Sequence, residues 1–289
     1  MHILVTGSNG QLGSELRVLS TDFPQHQFIF TDVDELDITN KKAVDTFFKE
    51  NKVDCLINCA AYTNVDKAEE EQDLARKINV QGAKNLAQAC AKHDAELMHI
   101  STDYVFDGNN HRPYRETDFT HPQSVYGETK LEGEHMIEEF AKTAIIIRTS
   151  WLYSSFGHNF VKTMLKYGQE REELNVVYDQ IGTPTYASNL ALLMLMNLDD
   201  LQWLQGTHVY HYSDEGVCSW YDFAKEIMAL SNIDCKINAI ESKDYPLPAT
   251  RPFYSILNKA KIKDGLEGIE IPYWKDSLKQ CLQRIKENN

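Results

Sequence analysis

Short apolar runs alternate with stretches of helical spacing along the first half of the chain. "HILVTG" from His2 is an apolar run closed by turn residues, "QLGSELRVLS" from Gln11 has helical spacing, and "HQFIFTD" from His26 is a second strand ending in an acid. "DITNKKAVDTFFKENK" predicts a helix capped by Asp37 or Thr39, and "VDCLINCAA" predicts a third strand. Leu74, Ile78, Gly82, Leu86 and Cys90 fall at steps of four, the stripe of a helix packed on one face. "AELMHIST" and "AIIIRTSWLY" then read as two more buried strands, separated by a polar helix around Lys130. Strands alternating with helices imply a parallel sheet covered on both faces, an α/β fold of the Rossmann-like, doubly wound kind.

Beyond about Ser150 the pattern changes to aromatic-rich segments, "GTPTYASNLALLMLMNL" and "GTHVYHYSDEG", and then to the proline-marked "DYPLPATRPFYS". This predicts a main Rossmann-like domain over 1–150, rejoined by segments near 175–195 and 206–214. Residues 151–289 would mostly form a smaller, interleaved second domain.

Composition narrows the function. The 289 residues can hold one large domain or a main domain with an appendage, and 42% hydrophobic with 25% charged residues is an ordinary globular balance. A net charge of −14 excludes a general grip on phosphate backbones, which needs basic stripes, so no nucleic-acid partner is expected. A single nucleotide remains allowed, because backbone amides at a helix N-terminus hold an anion locally. "LALLMLMNL" is about half the ~20 residues a membrane crossing needs, and "MHILVTG" enters a strand with no basic leader, so the expected location is the cytoplasm. The cysteines at 55, 59, 90, 218, 235 and 281 form no Cys-x-x-Cys pair and predict buried free thiols.

Gly7, Gly10 and Gly13 form Gly-x-x-Gly-x-x-Gly between the first strand and the first helix. A pyrophosphate must approach backbone amides closely, which favours residues without Cβ, and the helix dipole favours its charge. A ligand-free glycine turn would look the same in isolation; the position between strand and helix favours a cofactor site. Asp32 ends the second strand where an acid can bind the adenosine ribose. Asp34, Glu35 and Asp37 crowd the same loop against Arg17, which favours NADH over NADPH, although one or two of these acids can be plain helix caps.

Tyr126 and Lys130 in "SVYGETKLEGE" share one helix face. A neighbouring ammonium favours the phenolate and lowers the tyrosine pKa from about 10 toward a useful range, the chemistry of a general acid for a carbonyl under reduction. Such a pair is more often surface packing. Here a buried strand ends nearby in Ser101 and Thr102, hydroxyls able to bind the same phenol or a substrate oxygen at the carboxyl edge of the sheet.

"GSNGQLG", "NCAAYTNVDKAE", "NVQGAKNL", "STDYVF" and "YGETK", in that order, resemble the extended short-chain dehydrogenase/reductase family. "RTSWLY", "DQIGTPT" and "PATRP" narrow the resemblance to its branch that reduces dTDP-4-dehydro-L-rhamnose, and the matches span nearly the whole chain. The resemblance implies that Tyr126 donates a proton to the C4 ketone of that dTDP-sugar, that Lys130 tunes it and holds the nicotinamide ribose, and that Thr102 replaces the usual catalytic serine. It implies NADH or NADPH as cofactor, with Gly10, Gln11 and Leu12 at the pyrophosphate, Asp32, Asp37 and Ile38 at the adenosine, and Ala60, Ala61, Tyr62 and Thr63 at its middle. Asp103, Tyr104, Trp151 and Arg251 become candidates for substrate contact; Trp151 could equally be core, and Arg251 could grip a diphosphate or pair with an acid.

Rival readings are separable. A dehydratase of this family would need a carboxylic acid directly after the Thr-Asp pair, where Tyr104 stands, and an epimerase carries cues other than "STDYVF". A non-catalytic chain resembling the regulatory subunit of methionine adenosyltransferase is favoured only if the tyrosine or lysine is lost. Some relatives are magnesium-bridged dimers; Glu15 could take part, but Ser188 stands where a second carboxylate is expected, so no tight metal is predicted. Glu15 then reads as an acid at the positive end of its helix. The oligomeric state stays open, a homodimer among the options.

Overall fold

The computed structural model describes residues 1–199, 201, 204–265 and 270–287. Strands β1 (His2–Thr6), β2 (Gln27–Thr31), β3 (Cys55–Asn58), β4 (Glu96–Thr102) and β5 (Thr143–Thr149) alternate with helices α1 (Gln11–Leu19), α2 (Lys41–Asn51), α3 (Val65–Ala68), α4 (Gln72–Arg76), α5 (Ala83–His93) and α6 (Val125–Phe140). After β5 come β6 (Leu152–Tyr153), α7 (Phe160–Glu170), β7 (Glu173–Val177), β8 (Ile181–Gly182), β9 (Thr185–Tyr186), α8 (Ala187–Met196) and β10 (Gly206–Tyr212). The chain closes with β11 (Cys218–Ser219), α9 (Trp220–Ser231), β12 (Lys236–Ile240), α10 (Ala260–Gly265) and α11 (Trp274–Glu287).

Six strands form one parallel sheet in the order β10-β5-β4-β3-β1-β2. The chain steps from β1 outward to β2 and then back across to β3, so the direction of winding reverses at β1/β3. Loops diverge at such a reversal and leave a crevice beyond the carboxyl ends of the strands. One core under the sheet joins Ile3, Val5, Leu12, Leu16 and Ile57 to α8, and a second on the opposite face joins Leu4, Val44, Phe48, Leu86 and Ile146. Apolar residues almost all round α8 make burial its stable placement, and it packs beneath α1. A separate core gathers Tyr153, Val161, Leu174, Phe223, Ile237, Trp274 and Leu278 from β6, α7, α9, α11 and the parallel pair β7–β12.

Three local expectations change. Asn40, not Asp37 or Thr39, caps α2, its side chain accepting from the Ala43 amide at 3.1 Å. The helix stripe starting at Leu74 is interrupted: residues Lys77–Gly82 form a π-helical turn between α4 and α5. That extra residue per turn shifts the phase, so Ala75 and Asn79 are buried while Leu74 is 44% exposed on the cleft. The run "AIIIRTSWLY" is broken at Trp151, whose φ of +48° ends β5 and redirects the chain.

Candidate active site

A cleft of about 1020 Å³ opens along the carboxyl edge of β1 to β5, at the top of the ordinary range for ligand pockets, about 300–1,000 Å³. Gly7, Gly10, Gln11, Leu12 and Gly13 line one end. Gly7 has φ +66°, and a Cβ there would lie 2.6 Å from the Ala60 nitrogen; a Cβ on Gly13 would lie 2.5 Å from the Gly7 oxygen. The turn after β1 is therefore pressed on the segment after β3 and on α1 at once, and only glycine fits. No side chain caps α1, so its first amides face the cleft, a ready site for a phosphate. The residues present fit a dinucleotide: a cradle free of side chains, with the helix dipole directed into it.

Asp32, Val33, Leu36, Asp37 and Ile38 line the groove beyond the end of β2. The Asp32 carboxylate accepts from the Asn9 amide at 2.9 Å and the Val33 amide at 2.8 Å, so it also locks the glycine turn to β2. Asp37 accepts from the Thr39 amide and hydroxyl, and these bonds, led by the hydroxyl, hold its pKa below the usual range. Ile38 lines the cleft with its carbonyl pinned by Asn85 at 2.9 Å. Ala60, Ala61 and Thr63 line the middle; Tyr62 does not, its hydroxyl donating instead to Glu71. Arg17 lies 4.5 Å over the Phe30 ring and donates to Ser8 at 2.8 Å.

Tyr126 and Lys130 reach the cleft from the first turns of α6, which Ser124 caps by accepting from the Gly127 amide at 3.2 Å. A Cβ on Gly127 would lie 2.3 Å from the Tyr104 oxygen, so the glycine beside Tyr126 lets the helix seat against the turn after β4. Thr102 ends β4 and lines the cleft with Tyr126, its hydroxyl donating to the Asp103 carboxyl at 3.0 Å and accepting from the Tyr104 amide at 3.2 Å. Ser101 points to the other face, as alternate strand residues must, and donates to Glu134, itself in a buried ion pair with Arg148 at 2.6 Å. The expected second hydroxyl is thus absent from the phenol.

The expected acidification of the phenol is not found. Burial pushes Tyr126 up to about 12, outweighing the polar influence of the nearby Thr102 hydroxyl that lowers it. The Lys130 nitrogen is directed elsewhere, donating to the Ile100 carbonyl at 2.6 Å with His99 Nε2 at 3.4 Å, and burial draws its pKa down to about 8. A buried phenol that keeps its proton at neutral pH is the form a proton donor requires.

Asp103, Tyr104 and Trp151 line the far end of the cleft. Asp103 is buried, its Oδ2 without a hydrogen-bond partner among the described residues, and burial raises its carboxyl to about 6. The Tyr104 and Tyr126 rings meet edge to face at 5.5 Å. Trp151 is neither pure core nor free: it stacks on Trp220 at 3.7 Å and still lines the cleft. Arg251 is outside the lining, its guanidinium donating to Asp66 at 2.6 Å. Glu15 is fully buried, 2.7 Å from Arg284 and 2.6 Å from the Ser154 hydroxyl, so it is an internal tie rather than an acid at an open helix end.

Several residues at the site escaped the sequence reading. Trp220 comes from α9, and Asn159 caps α7 while donating to Gln11 at 3.0 Å across the glycine turn. Asn79, in the π-helical turn, accepts from the Tyr62 amide at 2.8 Å and donates to Thr129 at 3.0 Å, tying the middle of the cleft to α6. The motif "NVQGAKNL" was the available signal for Asn79; nothing near Trp220 or Asn159 in sequence marks them.

Residues 1–287 match the model of a family described as RmlD substrate binding domain. The chain belongs to that family. A curated relative from Aggregatibacter actinomycetemcomitans, named dTDP-4-dehydrorhamnose reductase, is 41% identical over 96% of this chain and 97% of its own. A crystal structure of a dTDP-4-dehydrorhamnose reductase from Clostridium acetobutylicum superposes with a TM-score of 0.94 at 46% identity, over 99% of this chain and 100% of that one. Another from Bacillus anthracis, in complex with NADP, gives 0.92 at 38% identity over 98% and 99%. The likeness to these structures shows a doubly wound α/β sheet and supports a nicotinamide nucleotide as cofactor. Among the described residues no helix is long and apolar enough to cross a membrane.

Proposed function

We propose that this chain reduces the C4 ketone of dTDP-4-dehydro-L-rhamnose, giving dTDP-L-rhamnose, with Tyr126 as proton donor. The observation that carries this is the meeting of Tyr126, Thr102 and Lys130 in the cleft that ends at the uncapped α1. When bound, the dinucleotide supplies the hydride. Gly7, Gly10, Gln11, Leu12 and Gly13 hold its pyrophosphate, Asp32, Asp37 and Ile38 its adenosine side, and Ala60, Ala61 and Thr63 its middle. Thr102 orients the phenol, which gives its proton to the ketone oxygen as negative charge develops there. Asp103, Tyr104 and Trp151 line the space left for the sugar, and the core of α7, α9 and α11 forms the substrate half.

NADH is the preferred reductant in this reading. Asp32 and Asp37 line the cleft beyond β2, with Asp34 and Glu35 in the same loop, and Arg17, already bonded to Ser8, is a weak counterweight to a 2′-phosphate. The test is loss of absorbance from NADH and from NADPH, measured separately with purified protein and dTDP-4-dehydro-L-rhamnose. Tyr126→Phe is expected to lower turnover by about 10²–10⁴-fold with each cofactor. An unchanged rate in that variant removes the proton donor.

A further inference from the structure

Between β6 and α7 the segment 154–159 crosses to the glycine turn and is bonded to it. The Ser154 hydroxyl donates to Glu15 at 2.6 Å and accepts from the Phe156 amide at 2.9 Å. The Asn159 side-chain amide donates to Gln11 Oε1 at 3.0 Å and to the Ser154 carbonyl at 2.7 Å, and Gln11 Nε2 donates back to the Leu152 carbonyl at 3.4 Å. Gly157 has φ +62°, and a Cβ there would lie 3.1 Å from Gln11 Cγ, so this segment is pressed on the start of α1. His158, exposed, is held between Gly157 and Asn159 on the lining of the cleft.

The direction of its ring follows from its neighbour. Thr163 Oγ1 gives its proton to the Asn159 carbonyl at 2.9 Å, so it presents only lone pairs to His158 Nε2, 3.5 Å away. Nε2 therefore carries a hydrogen, and the neutral ring is left with a lone pair on Nδ1. A lone pair repels an anion. A proton taken from solvent onto Nδ1 makes the ring a cation with two donors, one for Thr163 and one for an anion in the cleft.

We propose that His158 is a binding residue for the dinucleotide pyrophosphate, meeting it from the second core's side of the cleft and taking up a proton as it binds. The proposal rests on the reading of this cleft as a nicotinamide-nucleotide site.

The distribution of charge supports it. Gly7, Gly10 and Gly13 bring backbone amides to the pyrophosphate end but no cationic side chain. Of the other cations on the lining, Lys130 is buried against the Ile100 carbonyl and Lys77 lies by Asp37. The acids on the lining are Asp32 and Asp37 beyond β2 and Asp103 at the far end. Charged groups on the elements packed against the segment are engaged elsewhere. Glu15 of α1 and Arg284 of α11 pair with each other, and Arg17 of α1 is bonded to Ser8. On α7, Lys162 lies toward Cys281 and Lys166 over the Tyr167 ring.

Calorimetry of NADH binding in two buffers of different ionisation enthalpy tests this without using activity, because it reads both affinity and proton uptake. His158→Gln is expected to weaken NADH about tenfold and to reduce the uptake, and His158→Lys to restore the affinity without restoring the uptake. Lys130 and Asp103 titrate in wild type and variants alike, so the difference in uptake belongs to His158. Titration of dTDP into the NADH-loaded proteins reads the diphosphate of the sugar nucleotide instead, and its affinity is expected to change by less than about twofold. Unchanged NADH affinity in His158→Gln, unchanged uptake, or a loss confined to dTDP overturns the proposal. Failure of the underlying reading is seen separately, as wild-type protein that binds neither NADH nor NADPH.

Discussion

On one wall of the cleft, Gly7, Asp32, Ala60 and Thr102 arrive from β1, β2, β3 and β4, each within two residues of a strand end. On the other, Trp151, Asn159 and Trp220 arrive from a bend, a helix cap and a helix start that share no sheet. The first wall is steric and local: strand ends of a parallel sheet are fixed by register, and small residues let the turns touch. The second is held by long-range contacts, among them the Trp151–Trp220 stack and the Glu15–Arg284 pair. A motif can describe the first wall, while the second exists only once the chain has closed.

The largest blow to the strand-end wall is expected from Gly13→Ala, because the new Cβ would meet backbone at 2.5 Å that cannot move without opening β1 from β3. We expect a loss of about 4 kcal/mol or more in denaturant unfolding, together with loss of dinucleotide binding. A drop below 1 kcal/mol would show the turn to be looser than its contacts imply.

The joint between the walls is next. Arg284→Met leaves the buried Glu15 carboxylate with Ser154 alone, and should cost about 3 kcal/mol in the same measurement. An unchanged midpoint would make the two walls independent.

Asp103 tests the electrostatics where the walls meet. Burial raises its carboxyl from 3.8 to about 6, so between those values the native protein holds a proton that the unfolded chain has released. Its contribution is fully present below about 4 and is lost as pH rises through about 6. Against Asp103→Asn, wild-type stability should fall by about 2–3 kcal/mol between pH 4 and pH 8, and a parallel pair of pH profiles would contradict the burial argument.

The smallest effect is reserved for the far wall. Trp220→Ala removes the partner of Trp151 and should raise the KM for the sugar nucleotide about tenfold, with the Kd for the dinucleotide within about twofold. Equal changes in both would mean that the two walls are not specialised.

The alternation of strands and helices, the glycine turn and the pairing of Tyr126 with Lys130 were legible because each rests on spacing within one or two elements. The cap of α2 was misplaced by a residue or more, since Asp37, Thr39 and Asn40 are all good caps and only the chain path selects among them. The phase change at Lys77–Gly82 was hidden because a π-helical turn has no sequence period of its own. Ser101 and Thr102 looked equivalent as adjacent hydroxyls until the strand turned one of them to the opposite face.

Sequence alone determined the sheet, the glycine cradle and which helix face carries the phenol, because backbone sterics and periodicity act over a few residues. Tertiary structure decided the charge states. The direction of each shift at Tyr126, Lys130, His99 and Asp103 follows from burial and from partners tens of residues away, and desolvation has no signature in a local motif.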